Sequence, residues 1–283
     1  MDRVNLGHYV VGMEGVALLR SYLRANKEKA NTRIAEIRQF VTIPDQPPLA
    51  LQFEVPEVAV HKGYAAWATT YDVIPNPLIS LEEPVVRTLI DSLPIGNAID
   101  AACGTGRHTK YLHARGHTVI GVDTSPEMLQ RAREALPSVE FQVGDLSALP
   151  LPNGSMDFAV CSLALTHCPD LRPPMQELAR VVRPGGHIIL SDFHPFMGML
   201  GGAAFFLAAD GSSGYVTGYV HHHSAYWQAF AAAGLDVLQC EEPVNGENEV
   251  VLMSSGMMDI AGEAFRSALL GVPGALIWLL RRH

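Results

Sequence analysis

The chain has 283 residues, of which 48% are hydrophobic and 17% charged, a composition that supplies a sizeable core and excludes a disordered chain. A formal net charge of −9 argues against a nucleic-acid backbone as the main partner. The four cysteines form no C-x-x-C pair, which argues against disulfides and structural zinc and predicts a reducing, cytoplasmic setting. No stretch reaches the roughly 18 uninterrupted apolar residues of a membrane span, and the N-terminus lacks the basic start and apolar core of a signal peptide. We therefore expect neither stable membrane insertion nor a nucleic-acid partner.

The first 60 residues are predicted to form an extension to the main domain. Residues 13–41 favour one long helix, because they contain many good helix formers and no proline. The middle of this helix is polar on all faces, so the helix either packs on its own chain or lies on a neighbouring subunit of a homo-oligomer. Four prolines between Thr42 and Val60 predict an extended linker. The predicted division is an N-terminal helical extension and linker over residues 1–60 and one domain over residues 61–283.

Residues 97–123 have the pattern of a strand, a glycine turn, a helix and a parallel strand, which is the minimal βαβ unit. The first apolar run ends at Asp100, small residues follow up to Gly106, and the second apolar run ends at Asp123. Glycines in the turn allow the backbone to approach a ligand closely, because no Cβ stands in the way. An acid at the end of the second strand can bind both hydroxyls of a ribose. The unit therefore predicts either a dinucleotide site or a nucleoside site.

Two details separate these alternatives. The phosphate-binding pattern G-x-G-x-x-G requires a third glycine, and the chain has Thr109 at that position. An acid at Asp100 repels a pyrophosphate, whereas a ligand with an amino group and a sulfonium tolerates it. Here the chain resembles the class I S-adenosylmethionine-dependent methyltransferases: residues 100–106 are similar to their first motif, and Val122-Asp123 to their second. The segment LARVVRPGGHIILSD, residues 178–192, extends this resemblance. Ala102 departs from it, because the family usually has glycine there.

The resemblance implies an α/β fold with a Rossmann-like, doubly wound sheet of seven strands in the order 3-2-1-4-5-7-6, the last strand antiparallel. Apolar runs that supply strands three to seven lie at residues 139–143, 158–163, 187–190, 235–240 and 275–280. Helices are predicted at residues 84–93, 107–115, 126–135, 171–182 and 225–233, with residues 183–186 as a turn and Ser224 as a helix cap. Residues 195–224 are expected to be an insertion that covers the substrate, although a helix packed on the sheet is the alternative.

The resemblance also implies S-adenosyl-L-methionine as cofactor. By this resemblance Gly104 and Gly106 border the methionine portion, Asp123 holds the ribose, and Asp145 and Leu146 hold the adenine. The alternative for Asp145 is a cap for the residues from Ser147 onward. The full set of predicted cofactor residues is Asp100, Ala101, Cys103, Gly104, Gly106, Asp123, Thr124, Asp145, Leu146 and Ser162.

The acceptor side of the site is predicted from the end of the fourth strand. His167 follows that strand, and its ordinary pKa near 6.5 suits a general base at neutral pH; the alternative is a hydrogen-bonded residue packed under the cofactor. Residues 63–72 resemble the lid segment of small-molecule methyltransferases, with Tyr71 near the methionine end. The alternative is that Trp67 and Tyr71, four residues apart, form one packed helix face. His194 and His221 are lesser candidates for a base.

The sequence therefore predicts transfer of a methyl group to a small, mainly apolar molecule, with the acceptor atom left open among O, N and C. We expect no metal, because the three consecutive histidines at residues 221–223 cannot all face one point. Two alternatives remain open. One is a nicotinamide-dependent oxidoreductase, which needs the missing third glycine; the other is a non-catalytic protein that binds S-adenosylmethionine.

Overall fold

The computed structural model describes residues 3–22, 27–42, 49–254 and 256–283. In these residues the strands are β1 (Arg3–Asn5), β2 (Gln52–Glu54), β3 (Glu57–Val58), β4 (Asn97–Ala101), β5 (Thr118–Asp123), β6 (Glu140–Val143), β7 (Met156–Ser162), β8 (Val182–Phe193), β9 (Ala204–Leu207), β10 (Ser213–Val216), β11 (Leu235–Glu241) and β12 (Ala275–Arg282). The helices are α1 (Leu6–Ser21), α2 (Lys27–Thr42), α3 (Val60–Trp67), α4 (Pro77–Asp91), α5 (Arg107–Ala114), α6 (Pro126–Ala135), α7 (Arg172–Val181), α8 (Pro195–Met199), α9 (His223–Ala232), α10 (Glu247–Met253) and α11 (Met258–Leu269). Among the helices so described, none combines the length and the apolar character that crossing a bilayer requires.

The chain divides into two compact units. The helical unit comprises the described parts of residues 1–56, 75–81 and 244–273, and the sheet unit comprises residues 57–74, 82–243 and 274–283. The predicted division into an extension over residues 1–60 and one domain after it remains a prediction.

The sheet unit is built on seven strands in the order β11-β12-β8-β7-β4-β5-β6. Neighbouring strands are parallel except that β12 runs antiparallel to both β8 and β11. This is the order 3-2-1-4-5-7-6 with an antiparallel last strand, so the predicted fold class is confirmed. The central strand β7 is buried along most of its length, as expected for a parallel strand covered by helices on both faces. The largest side chains of the core include Trp278, Tyr226 and Phe230, which pack where α9 covers the sheet.

Local capping signals explain where several elements begin. Helix α6 begins at Pro126, and the Ser125 hydroxyl accepts a hydrogen bond from the Met128 amide at 3.3 Å, as its sequence predicts. Other boundaries were wrong. Strand β8 begins at Val182, which pairs with Met156, whereas regular pairing with β7 resumes only at His187; the predicted turn at residues 183–186 therefore lies as an irregularity inside the bounds of the strand. Helix α9 begins one residue before Ser224, which is therefore not its cap.

The insertion after β8 contains the short helix α8 and the strands β9 and β10 of a small sheet, so the alternative of a helix packed on the main sheet does not describe it. Strands β9 and β10 form an antiparallel hairpin, and β10 also pairs in parallel with β3. Helix α3 packs on this sheet through a cluster that includes Trp67, Phe206, Val216 and, from α6, Met128. We call β3, β9, β10 and α3 the lid. The close contact requires glycine at residue 63, where a Cβ would lie 2.7 Å from Val216 Cγ2.

The helical unit corrects the prediction for the N-terminal region. The single helix predicted for residues 13–41 is two helices, α1 and α2, and α1 begins earlier, where Asn5 accepts a hydrogen bond from the His8 amide at 3.1 Å. The polar middle of the predicted helix lies partly outside the described residues. The predicted linker contains strands, because β2 pairs with β1. Helix α4 begins at Pro77, seven residues before the predicted start.

Helices α10 and α11, between β11 and β12, were not predicted at all. Helix α1 packs on α11, and the Arg20 guanidinium donates hydrogen bonds to the carbonyls of Ala268 at 2.8 Å and Leu270 at 3.0 Å. These carbonyls lie at the end of α11, where a helix lacks its own hydrogen-bond donors.

Candidate functional site

A cavity of about 360 Å³ lies in the sheet unit at the carboxyl ends of β4, β5 and β7, where open α/β sheets bind ligands. It is bounded by the turn after β4, the loops after β5, β6 and β7, and by α3 with the loop that follows it. The residues that line it are Val60, His61, Tyr64, Tyr71, Asp100, Ala102, Cys103, Gly104, Thr105, Arg107, His108, Val122, Asp123, Thr124, Ser125, Gly144, Asp145, Leu146, Leu149, Ser162, Leu163, Ala164, His167 and Cys168.

The turn between β4 and α5 has a strained backbone. Ala102, Gly104 and Gly106 have φ angles of 59°, 55° and 88°. Glycine adopts this left-handed region readily, whereas for alanine the region costs roughly 1–2 kcal/mol. Leu163, in the loop after β7, has a φ of 56° and also lines the cavity. Because such strain persists mainly where function requires it, both positions mark this end of the sheet as a ligand site.

The carboxylate of Asp123 is oriented by the backbone around it. One oxygen accepts a hydrogen bond from the Gly104 amide and the other from the Ser125 amide, both at 2.8 Å. Burial raises the pKa of Asp123, and the two amide donors oppose that rise. Each oxygen has a second lone pair, so the carboxylate retains the capacity to accept two hydroxyl groups. Asp123 therefore links the turn to β5 and can bind a diol at the same time.

Asp145 and Leu146 both line the cavity, in the loop after β6. The Oδ1 atom of Asp145 accepts hydrogen bonds from the amide of Ser147, at 2.8 Å, and from its hydroxyl. No helix is described between β6 and β7, so the alternative of a helix cap at Asp145 was wrong; the side chain closes a local turn instead and also lines the cavity. The two roles are compatible, because a carboxylate accepts more hydrogen bonds than Ser147 supplies.

A buried cluster of charged side chains lies beside the turn. Glu82 on α4 is fully buried and accepts hydrogen bonds from Arg107 Nη1 at 2.8 Å and Ser191 Oγ at 2.6 Å, and its Oε1 lies 3.0 Å from His108 Nε2. Burial pushes the pKa of Glu82 up, but His108 and Arg107 outweigh burial and lower this pKa to about 2. Since a carboxylate only accepts, His108 carries its proton on Nε2. Arg107 and His108 line the cavity, so Glu82 fixes the two side chains that line it without lining it itself.

Asp100, at the end of β4, is almost fully buried and accepts a hydrogen bond from Thr109 Oγ1 at 2.5 Å. Burial raises its pKa, while His108 and the hydrogen bond from Thr109 oppose the rise. Thr109 replaces the third glycine of the phosphate pattern and here orients the acid that lines the cavity.

The wall formed by the lid is aromatic. Tyr64, Trp67 and Tyr71 pack together, with centroid distances of 5.8 Å from Tyr64 to Trp67 and 5.0 Å from Trp67 to Tyr71. Tyr64 Oη lies 2.9 Å from His167 Nε2, and His167 Nδ1 lies 2.6 Å from the carbonyl oxygen of Thr217. Burial lowers the pKa of His167 below its ordinary value of 6.5, which the bond to the Thr217 carbonyl partly opposes. The ring is therefore held neutral at physiological pH.

The structure brings most of the predicted site residues to this cavity and leaves two of them off its wall. Ala101 is fully buried within the sheet, between its partners in β5 and β7. Gly106 is explained by its φ of 88°, since a Cβ there would make only an ordinary contact, 3.4 Å from the Ala132 Cβ. The lesser candidate His221 also lies off the wall, with its Nε2 2.8 Å from the Cys168 carbonyl oxygen.

His194 likewise lies off the wall, in a cluster with His223 and Glu242. Both imidazole Nε2 atoms lie within 2.9 Å of Glu242 Oε1. The Phe196 amide donates to His194 Nδ1 at 3.2 Å, so in a neutral ring the proton is on Nε2 and is donated to the carboxylate. The cluster is therefore hydrogen-bonded internally, and it caps α8.

Sequence reasoning missed Glu82, Arg107, His108 and Tyr64. Arg107 and His108 follow the glycine turn directly, so the first turn of α5 was the signal that could have identified them. Glu82 gave no such signal, because an acid in an amphipathic helix is normally exposed.

Comparison with known proteins agrees with this geometry. A family model described as a methyltransferase domain matches residues 99–190, which contain the turn after β4, the strands β5 to β7 and most of β8. This region of the chain is thus similar to a methyltransferase domain, and the sheet has the strand order of the class I S-adenosylmethionine-dependent methyltransferase fold. S-adenosyl-L-methionine is the cofactor of such domains, and two buried polar atoms of cavity-lining residues that lack a protein partner, His108 Nδ1 and Ser162 Oγ, fit a polar ligand.

The methyltransferase domain is similar to proteins with different substrates. A malonyl-[acyl-carrier protein] O-methyltransferase from Serratia marcescens is 35% identical over 136 residues, which cover 47% of this chain and 52% of the relative. The chain thus matches about half the length of that relative. A solved S-adenosylmethionine-dependent methyltransferase from Mesorhizobium loti has a TM-score of 0.54 and 24% identity and covers 71% of this chain and 98% of its own. A geranyl diphosphate C-methyltransferase from Streptomyces coelicolor A3(2) has a TM-score of 0.55 and 16% identity and covers 72% and 80%. At these identities the two structures share the fold.

Proposed function

We propose that the protein transfers a methyl group from S-adenosylmethionine to a small, mainly apolar molecule bound under the lid. The observation that carries the proposal is the Asp123 carboxylate, held by two backbone amides at the edge of the cavity with lone pairs left to accept a ribose diol. Binding of a pyrophosphate is less favourable in this cavity, because the carboxylates of Asp100, Asp123 and Asp145 line it and repel negative charge.

The remaining cofactor contacts are assigned to other residues that line the same cavity. Asp145 and Leu146 are proposed to bind the adenine, while Gly104 and Asp100 border the methionine portion. Arg107 is proposed to bind the methionine carboxylate, since Glu82 holds its guanidinium at the cavity, and His108, whose Nδ1 is left as an acceptor, is proposed to bind the methionine amino group. When bound, S-adenosylmethionine supplies an electrophilic methyl group. The chain's own residues then need mainly to orient the acceptor and exclude water.

The lining residues support an uncharged acceptor over the acceptors named in the relatives. A diphosphate or a malonyl carboxylate needs cations, and among the described residues that line the cavity Arg107 is the one permanent cation. Arg107 is already paired with Glu82 at 2.8 Å, and its remaining donors are assigned above to the methionine carboxylate. The aromatic wall of Tyr64 and Tyr71 favours an apolar acceptor instead.

Calorimetric titration with four ligands tests the proposal. We expect S-adenosylmethionine and S-adenosylhomocysteine to bind with one site per chain. 5′-Methylthioadenosine, which lacks the amino-acid group, should bind at least tenfold more weakly. NAD should not bind. Binding of NAD in preference to S-adenosylmethionine would favour the oxidoreductase, and binding of S-adenosylmethionine without release of S-adenosylhomocysteine across an acceptor panel would favour the non-catalytic reading.

We infer that the N-terminal helices also mediate assembly of a homo-oligomer. Three apolar side chains on α1 and α2 or at their ends, Leu19, Tyr22 and Val41, are 76%, 74% and 60% exposed, and a second copy of the chain would cover them. Size-exclusion chromatography with light scattering should give a dimer or larger, and a Leu19→Glu variant should shift the mass toward the monomer. A monomeric wild type would contradict the inference.

A further inference from the structure

The proton positions on His167 follow from its two hydrogen bonds. A backbone carbonyl can only accept, so His167 Nδ1, 2.6 Å from the Thr217 carbonyl oxygen, carries the proton of the neutral ring. The other nitrogen, Nε2, is therefore a lone-pair acceptor. Its protein partner is Tyr64 Oη at 2.9 Å, and the Tyr64 hydroxyl must donate this bond. The lone pair that a direct base would use is thus already occupied by the tyrosine.

Hydrogen bonds connect the lid and the segment after β10 to the loop after β7. They hold Tyr64, His167 and the Thr217 carbonyl in place. The Tyr219 amide donates to the Thr166 carbonyl at 2.7 Å, and the Thr166 hydroxyl donates to the Tyr219 carbonyl at 3.2 Å. The Thr217 amide donates to the Val58 carbonyl at 3.1 Å. These bonds flank Thr217 and His167 on both sides. Tyr64 and His167 also pack edge to face, with ring centroids 5.4 Å apart.

We propose that Tyr64 is the residue that takes the proton from the methyl acceptor, with His167 and the Thr217 carbonyl forming a proton relay behind it. The proposal rests on the proposed methyl transfer and names a catalytic residue and an acceptor class for it. Tyr64 lines the cavity and is the catalytic residue, and His167 acts through it.

Protons and electrons balance in the proposed methyl transfer. As the acceptor atom bonds to the methyl carbon, the carbon–sulfur bond breaks and its electron pair stays on sulfur. The acceptor proton moves to Tyr64 Oη, and the tyrosine's own proton moves to His167 Nε2. The resulting imidazolium is stabilised by its Nδ1–H bond to the Thr217 carbonyl and returns its proton to solvent after product release. Tyr64 ends the cycle as a neutral phenol.

The relay restricts the class of acceptor. The relay removes a proton from the acceptor atom, so it is useful for a hydroxyl or an amine. A carboxylate needs no such step, because it is already ionised at neutral pH. A phenol or enol fits best, because among uncharged hydroxyl compounds it loses its proton most readily, and the proton ends on His167, whose lowered pKa makes it a weak base. We therefore assign the acceptor to uncharged, aromatic or enolic hydroxyl compounds.

A coloured phenol tests the relay independently of methyl transfer. The probe is 4-nitrophenol, added to protein saturated with S-adenosylhomocysteine, and the absorbance of the bound nitrophenolate is followed against pH. In the wild type we expect the bound phenol to ionise at least one pH unit lower than the free phenol. The variants Tyr64→Phe and His167→Gln should both lose this shift while they bind S-adenosylhomocysteine within about twofold of the wild type. The matched control is Tyr219→Phe, whose side chain does not line the cavity.

The outcomes distinguish a Tyr64–His167 relay, a direct base at His167 and a purely structural pair. Loss of the shift in His167→Gln but not in Tyr64→Phe would make His167 the direct base and overturn the relay, and retention in both variants would make the pair purely structural. Absence of a shift in a wild type that binds S-adenosylhomocysteine would also overturn the relay but leave the cofactor assignment intact. A wild type that does not bind S-adenosylhomocysteine would refute the proposed function itself. In parallel, S-adenosylhomocysteine release should occur with phenols and fall at least 100-fold in Tyr64→Phe, whereas faster release with carboxylic acids than with phenols would contradict the acceptor class.

Discussion

The buried carboxylate of Glu82 offers the sharpest quantitative test of the site's architecture. Its pKa falls from 4.5 to about 2 in the folded protein, and it is fully buried against Arg107, His108 and Ser191. At about 1.4 kcal/mol per pH unit, this shift corresponds to roughly 3 kcal/mol of stability at neutral pH. An independent expectation agrees, since removing one partner of a buried ion pair costs about 3–5 kcal/mol.

We therefore predict that Glu82→Gln lowers the free energy of unfolding by about 3 kcal/mol. Glutamine keeps the volume but directs an N–H₂ group toward neighbours that are themselves donors. For a unit of this size the loss corresponds to roughly 6–12 °C in Tm, measured by circular dichroism. The matched control is Glu83→Gln. The Glu83 carboxylate pairs at 2.8 Å with Arg87, which is 40% exposed, and more distantly, at 3.6 Å, with Arg107, so its loss is expected to cost at most about 1 kcal/mol. Because Glu82 holds Arg107 and His108, the variant should also weaken binding of S-adenosylhomocysteine.

The pH dependence gives the sign of the effect. A depressed carboxyl pKa contributes stability that is present above the unfolded value of 4.5 and is lost as the pH falls toward 2. The difference in Tm between wild type and Glu82→Gln should therefore shrink below pH 4.5. A difference of less than about 1 °C from the control at pH 7, or a gap that widens on acidification, would refute the reasoning.

Three further predictions concern the same unit. Gly121→Ala should destabilise the protein by about 1–3 kcal/mol, measured by urea unfolding, because the new Cβ would lie 2.5 Å from Phe141 Cδ1; no loss would show that β6 moves freely. Ala102→Gly should leave Tm unchanged or raise it by up to a few degrees, since relief of the left-handed φ of 59° offsets the entropy of glycine, and a clear fall would contradict the strain. The lowered pKa of His167 means that the unfolded chain binds its proton first as the pH falls, so this group's stability contribution is complete above 6.5 and decreases below it. The acid limb of the rate profile should accordingly lie below pH 6.5, and a limb above that value would contradict a buried neutral ring.

The βαβ unit could be predicted almost residue by residue because its signals are local. The glycine turn, the caps around Ser125 and the apolar runs of β4 and β5 each lie within a few residues of the structure they specify. The order of the sheet then followed from the resemblance of its motifs to a known family. Asp123 was predictable for the same reason, because an acid at the end of the second strand has a fixed place in this fold.

The lid and the buried cluster could not be predicted, because their partners are distant in sequence. Strand β3 has two residues and pairs with β10 more than 150 positions later, so neither strand shows a periodic pattern of its own. Tyr64 and His167 are 103 residues apart, and Glu82 and Ser191 are 109 apart. The side chains that define the acceptor wall therefore became evident only when the lid was placed over the sheet.

The central claim is that a sulfonium nucleoside binds across the strained turn with its ribose held by Asp123. Calorimetric titration of S-adenosylmethionine into the wild type and into Asp123→Asn tests it most directly, with the fold of both checked by circular dichroism. Asparagine is preferred to alanine because it keeps an acceptor for one of the amides of Gly104 and Ser125, whereas alanine leaves both without one. The account predicts binding to the wild type and at least a tenfold loss of affinity in the variant. Equal affinity in the two proteins, or no binding by a folded wild type, would contradict it.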